Sequence, residues 1–226
     1  MTAATQDPVG EDPVRRKVIR DCVTLGAAVG ASGLSFGAVS VAAGLSTPQA
    51  CTLSLLVFSG GSQFALVGVL GAGGSAAAGI AGASLLGVRN TLYAVRLATL
   101  LRVPRARRVL AAQVTIDETT AMAVTAPPGS RDTAFWVTGI TIFITWNLAT
   151  LLGARGAAVF DTKAIGLDAA VGAAFLALLA PQIQDWRGAR VAIGGALLAA
   201  AAVPVTPVGV PVIVAALAIL PAVVRR

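Results

Sequence analysis

The sequence contains no histidine, and its two cysteines, Cys22 and Cys51, are far apart in the chain. Such a pair has no metal-ligand spacing, so the sequence gives no support to a disulfide framework or a zinc site. Charged residues are also scarce, at 12%, against roughly 25% in an average soluble domain. These shortages argue against an ordinary soluble protein and against a histidine- or cysteine-based metal centre.

Apolar residues make up 56% of the 226 residues, and the mean hydropathy is +0.83. They form successive runs long enough to cross a bilayer as helices. We therefore expect an all-α, polytopic transmembrane bundle of seven or eight spans with at least one discontinuous or re-entrant helix. Residues 1–21 are predicted to form a polar N-terminal segment, and residues 22–226 a single transmembrane domain.

The net charge of +7 comes mainly from basic residues at the ends of apolar runs, above all Arg15–Arg20 and Arg102–Arg108. This placement favours orientation in a membrane and contact with anionic lipid over nucleic-acid binding. Both basic segments are predicted to be cytoplasmic. The N-terminus is therefore predicted to be cytoplasmic and uncleaved. With one span over residues 22–45, residues 48–101 must then contribute an odd number of crossings. One of the two apolar runs in that region is therefore predicted to be broken or re-entrant.

The first of those runs, Ala50–Leu70, has glycine and polar residues at its centre. Two adjacent glycines are unfavourable in a helix interior, and hydrogen-bonding side chains surround them at what should be mid-membrane depth. Discontinuous helices of this kind commonly build the substrate sites of secondary transporters. The alternative is a close helix crossing through small residues. The residues in question are Ser59, Gly60, Gly61, Ser62 and Gln63.

The second run carries Arg89, Tyr93 and Arg96 on one face of a predicted helix. Arg89 lies roughly 20 Å along the helix from the basic loop at Arg102, too deep for easy snorkelling. An intramembrane cation is expensive and is by default a functional candidate. The alternative is a kink at Arg89–Asn90 that brings both arginines to an interface.

Two adjacent acids, Asp117 and Glu118, occupy a further predicted span, residues 109–125. In a continuous helix Asp117 would share a face with Gln113 and Thr120, with Glu118 about 100° away. Alternatively, the helix begins later and both acids lie in its first turn, where the helix dipole favours them.

The later spans are predicted at residues 133–152, 165–180, 191–203 and 208–224. Trp146 and Asn147 either line a cavity or pack in the bundle. Asp168 is interpreted as a first-turn carboxylate.

Five blocks in order carry a resemblance to a known family: Ser35–Gly37, Leu53–Phe64, Val88–Tyr93, Thr115–Glu118 and Gly166–Asp168. They resemble the AzlC family, the large subunits of bacterial branched-chain amino-acid exporters. The resemblance implies export of valine, leucine, isoleucine or methionine, together with a small AzlD-type membrane partner. Family members usually have histidine where this chain has Asn90, so a proton relay through that position is excluded here.

These observations predict a secondary transporter subunit of the bacterial inner membrane, without cofactor, metal or evident ATPase. An intramembrane enzyme is disfavoured because no nucleophile–base pair accompanies the acids. A structural or assembly subunit of a larger complex is the alternative. The predicted substrate-binding residues are Ser59, Gly60, Gly61, Ser62, Gln63, Arg89, Asn90 and Tyr93, and the predicted coupling residues are Asp117 and Glu118.

Overall fold

A computed structural model describes residues 13–159, 183 and 185–219, and it confirms the all-α class: the described residues contain helices and no strand. Short 3₁₀ turns at Arg105–Arg107, Pro128–Ser130 and Ala216–Ile219 accompany the α-helices. The predicted span at 165–180, with Asp168, lies outside the described residues. The helices are α1 (Pro13–Ala31), α2 (Gly33–Ala42), α3 (Thr47–Leu56), α4 (Gly60–Gly71), α5 (Ala76–Ala98), α6 (Arg108–Gln113), α7 (Asp117–Thr125), α8 (Arg131–Val159), α9 (Trp186–Ala202) and α10 (Val210–Ala215).

Helices α1 and α2 are separated only by Ser32 and together pack along α8. Residue numbers increase together along the two contacting elements: Cys22 contacts Ala134, Gly26 contacts Thr141 and Gly37 contacts Thr150. The two long elements are therefore parallel and begin at the same end of the bundle. A side chain at either glycine would overlap α8, so small residues allow the close approach.

Two elements of the described chain are long and apolar enough to cross a membrane, Pro13–Ala42 and Pro128–Ala157. The predicted count of seven or eight spans is not confirmed. Because these two elements are parallel, the chain must return between them. Helix α5, with 23 residues, is long enough to make that return.

The predicted break in the first apolar run is confirmed: α3 ends at Leu56 and α4 begins at Gly60. The last residue of α4, Gly71, contacts Ala43, directly after α2, while α3 begins only a few residues after α2. Both ends of the α3–α4 segment therefore lie at the same end of the bundle. The segment is a re-entrant hairpin that enters from the end opposite the start of α1.

A second break separates α6 from α7 at residues 114–116, so the prediction of one continuous helix over 109–125 is wrong. Asp117 and Glu118 instead occupy the first turn of α7, and Gln113 and Asp117 belong to different helices. Val114, Thr115 and Ile116 are all β-branched, which disfavours helix. They lower the helix propensity at the interruption.

The α6–α7 segment also folds back on itself. Ala126, after α7, clusters with Cys22 and Ala134, and Arg108, at the start of α6, lines a groove with Phe135. Both ends of the segment thus lie beside the beginning of α8. The two hairpins enter the bundle from opposite ends, and their breaks meet inside it.

The remaining boundaries shift from those predicted. Helix α8 extends beyond residue 152 to Val159. In this extension, Gly153 packs against the backbone of Leu34. Helix α9 begins earlier than predicted because the Asp185 carboxylate accepts a hydrogen bond from the Gly188 amide at 2.7 Å and caps it. Within the predicted 208–224 run, helix α10 is followed directly by the 3₁₀ turn Ala216–Ile219, and positions 220–224 lie outside the described residues.

Candidate functional site

The site is organised around Arg89, which α5 places between the two helix breaks. The Arg89 guanidinium forms an ion pair with Asp117, in which Nη1 lies 2.9 Å from Oδ2. Its Nη2 lies so close to Gly61 that a Cβ added there would be 2.8 Å away. One cation thus covers the first turn of α4 and pairs with the first residue of α7.

The site contains both positively and negatively charged groups. The N-termini of α4, with 12 residues, and α7, with 9, both face the site, and each carries about half a positive charge. Arg89 adds a full positive charge, while Asp117 and Glu118 supply the negative part. Arg89 and Asp117 remain 35% and 32% exposed, so a small molecule with charges of both signs can reach them.

The ion pair does not use all the hydrogen-bonding capacity of these side chains. Buried Nε of Arg89, Oδ1 of Asp117 and Oδ1 of Asn90 have no hydrogen-bond partner among the described residues. Buried polar groups are normally hydrogen-bonded. One donor and two acceptors are therefore available for a ligand.

Two glutamines hold the α3–α4 break in place. The Nε2 of Gln63, which is fully buried, lies 3.4 Å from the carbonyl oxygens of both Leu53 and Ser54. Gln113, the last residue of α6, donates from Nε2 to the Leu55 carbonyl at 2.8 Å. The carbonyls at the end of α3, which tend to lack intrahelical partners, thus receive side-chain donors from both hairpins, and the Leu53 carbonyl also accepts from the Val57 amide at 2.9 Å.

The serines of the predicted site lie at the same break. The Ser59 hydroxyl, before the first turn of α4, is 3.4 Å from the Ser62 hydroxyl. Both hydroxyls line a cavity of about 500 Å³ together with Asn90 and Gln113. The rest of the lining is mostly apolar, as is usual for ligand pockets: Val57, Phe58, Leu66, Ile80, Ala83, Val109 and Ala112.

Trp146 forms the floor under Gly60. A Cβ at Gly60 would lie 3.2 Å from the Trp146 ring, and the ring stacks on Phe36 with centroids 6.1 Å apart. Phe64 meets it edge-on at 6.4 Å. Trp146 therefore packs in the bundle, and the absence of a side chain at Gly60 allows this contact.

The last two predicted residues lie beside the ion pair. Helix α5 continues through Arg89–Asn90 from Ala76 to Ala98. Tyr93, one turn further along, interacts with Asp117. Glu118 lies within electrostatic range of Asp117 and Arg89 and forms no ion pair with a described residue.

The structure thus brings all ten predicted site residues to the two breaks. Sequence reasoning missed Gln113 as the link between the hairpins and Trp146 as the support of Gly60. For Gln113 the signal was available: it directly precedes the β-branched run at 114–116. For Trp146 no local signal existed, because the partner residue is 86 positions earlier in the chain.

Comparison with known proteins gives one match. A family model described as AzlC protein matches residues 24–160, more than half of the chain. No curated protein and no solved structure matches it. The matched range extends from within α1 to the end of α8 and includes both helix breaks.

Proposed function

We propose that this chain, which belongs to the AzlC family, is the transport subunit of a secondary exporter of branched-chain amino acids. Family membership and the apolar helices point to a membrane protein with a role in transport rather than catalysis. The proposed substrates are valine, leucine and isoleucine, with methionine as a further candidate. The proposed location is the bacterial inner membrane, with a cytoplasmic N-terminus and a small AzlD-type membrane subunit as partner.

The observation that carries the proposal is the Arg89–Asp117 ion pair at the meeting point of two interrupted helices. Transporters commonly place their substrate at such interruptions, with half-helix N-termini facing the carboxylate. An amino acid is a zwitterion, and this site offers a positive and a negative group side by side. The substrate carboxylate binds Arg89, and the ammonium group binds Asp117.

The neighbouring cavity accounts for the preference for an apolar side chain. It is reached past Ser59 and Ser62, whose hydroxyls can bond the polar end of the substrate. Beyond them the lining is aliphatic at Leu66, Ile80 and Val109. Burying a branched aliphatic side chain there contributes about 1.5–3 kcal/mol. A charged side chain would lose its hydration without gaining a partner.

Alternating access follows from the opposed hairpins. The α3–α4 hairpin closes the site from one end, and the α6–α7 hairpin closes it from the other. A substrate carboxylate that replaces Asp117 at Arg89 loosens the link between them. Asp117 is the proposed coupling group, because it is the acid paired with Arg89 and intramembrane acids commonly serve as proton relays.

Reconstitution in liposomes tests the proposal. Export of radiolabelled leucine is measured for the purified chain, with and without an AzlD-type small membrane protein. Leucine transport, competed by valine and isoleucine but not by lysine, is expected. Arg89→Lys should reduce transport about tenfold or more, because the planar fork that binds a carboxylate is lost. The matched control is Arg96→Lys on the same helix, which should retain near-normal transport.

Two results would contradict the proposal. Absence of amino-acid flux with and without the partner, in well-folded protein, would favour the structural-subunit alternative. Near-normal flux in Arg89→Lys and Arg89→Ala at equal membrane abundance would show that Arg89 does not bind the substrate.

A further inference from the structure

A second groove lies at the basic end of the bundle, where α1 and α8 begin. It has a volume of about 390 Å³ and runs between the end of α5, α6 and the first turns of α8. Its polar lining is limited to Thr115, whose hydroxyl already donates to the Ala111 carbonyl at 2.7 Å, and Arg108. The apolar lining residues are Ala94, Leu97, Ala98, Leu101, Val103, Ala111, Ala112 and Phe135.

Four arginines fall within seven residues of the segment that borders this groove, and one of them, Arg108, lines it. Arg105 and Arg107 lie in a 3₁₀ turn, Arg108 opens α6 directly after it, and Arg102 precedes it. All four are exposed, and none forms an ion pair with a described residue. The basic cluster of α1 differs, because there Asp21 pairs with Lys17 at 2.8 Å and with Arg20 at 3.6 Å.

An apolar groove with uncompensated cations at its mouth matches an amphiphile with an anionic head. Guanidinium groups bind phosphate oxygens through paired, charge-assisted hydrogen bonds. Apolar walls stabilise a hydrocarbon chain by removing it from water. We propose that this groove is a binding site for an anionic phospholipid, with its phosphate among Arg105, Arg107 and Arg108 and an acyl chain along Leu97 and Leu101.

The position of the groove gives the lipid a structural consequence. Helix α6 separates the groove from the 500 Å³ cavity, and Ala112 and Thr115 line both spaces. A lipid in the groove therefore supports the helix whose last residue, Gln113, bonds the Leu55 carbonyl of the other hairpin. The inference does not depend on the proposed transport function, since lipid binding is measured without transport.

The test compares lipid binding by the full-length protein, purified in a neutral detergent. Phosphatidylglycerol and phosphatidylcholine with identical acyl chains are titrated and scored by native mass spectrometry. The wild type should prefer phosphatidylglycerol by about tenfold or more. The double substitution Arg105→Gln with Arg108→Gln should abolish that preference while leaving phosphatidylcholine binding unchanged. Arg187→Gln, an exposed arginine on α9, is the matched control and should behave as wild type.

Two further arms test the groove itself. Ala98→Trp fills the apolar part of the groove without changing charge and should weaken the binding of both lipids. If Ala98→Trp does not fold, Ala94→Leu is used in its place. Glycerol phosphate, which has the anionic head without an acyl chain, should not displace the bound lipid. Equal binding of the two lipids by wild type, retained preference in the double variant, or full displacement by glycerol phosphate would each overturn the inference.

Discussion

Arg89 is held between a glycine and a carboxylate, and each neighbour has a separate role. Gly61 leaves room for the guanidinium, and Asp117 fixes its direction. Sequence reasoning identified all three residues, because a deep arginine, paired glycines and intramembrane acids are each unusual in an apolar chain. It could not identify which acid pairs with Arg89, since that depends on the start of α7.

The two acids should differ in function because only Asp117 contacts Arg89. Asp117→Asn keeps the shape of the side chain but cannot carry a proton or a full charge. We expect it to abolish the response of leucine export to a pH gradient in proteoliposomes, with the fold retained. Glu118→Gln is the matched control and should retain the response, at a stability cost of about 0.3–1 kcal/mol from the helix dipole. If export by Asp117→Asn still responds to the pH gradient as the wild type does, Asp117 is not the coupling group.

The space at Gly61 offers a test that leaves every charge in place. Gly61→Ala puts a Cβ against the end of the Arg89 side chain. The guanidinium can move, so the protein should fold, but a displaced charge-assisted hydrogen bond costs about 1.5–3 kcal/mol. We expect the KM for leucine to rise about tenfold or more. Gly129→Ala, where nothing lies within 4 Å of the new Cβ, should leave KM unchanged, and an equal effect of both substitutions would contradict the role of Gly61.

At the scale of helices and hairpins, the two breaks have different sequence signals. Gly60–Gly61 is conspicuous inside an apolar run, and it led directly to the correct prediction of a discontinuity. The break at 114–116 contains no glycine or proline. Val114, Thr115 and Ile116 only lower helix propensity, and such residues are common in membrane helices. A tertiary contact is also present at this break: the bond from Gln113 to the Leu55 carbonyl joins residues 58 positions apart.

The capping glutamines lead to a prediction about stability. Gln63→Leu leaves the buried carbonyl of Ser54 without its side-chain donor, which should lower the free energy of unfolding by about 1–3 kcal/mol. Thermal unfolding in detergent measures this. Gln113→Leu is the matched control, because its hydrogen bond is exposed to solvent and water can replace it. A smaller loss in Gln63→Leu than in Gln113→Leu would contradict the capping role.

At the scale of the whole molecule, the parallel packing of α1–α2 with α8 constrains the path of the chain. Composition predicted the all-α membrane class, and the basic segments predicted a broken run between residues 48 and 101. The fold-back of α6–α7 could not be predicted, because a 17-residue apolar stretch suits a short span as well as a hairpin. Only the contacts of Ala126 and Arg108 with the start of α8 distinguish the two.

Cysteine labelling distinguishes the hairpin from a span. Single cysteines are introduced at Ala106, Gly129 and Ala72 in a background lacking Cys22 and Cys51, and intact cells are treated with a membrane-impermeant maleimide. Ala106→Cys and Gly129→Cys flank the α6–α7 hairpin, so both should react only after permeabilisation. Ala72→Cys, at the opposite end, should react from outside and serves as the positive control. Opposite accessibility of positions 106 and 129 would mean that α6–α7 crosses the membrane.

The contacts of the α3–α4 hairpin with α8 also determine when the hairpin can form during synthesis. Ser54 bonds Thr150, which is 96 residues further along the chain, and Phe58 packs on Phe143 with ring centroids 5.1 Å apart. A ribosome that has made α3 and α4 has not yet made the helix that holds them. Contacts of such sequence separation form late. The hairpin must therefore wait in the membrane or at the translocon until α8 is inserted, so the residues proposed to bind substrate are among the last to acquire their final environment.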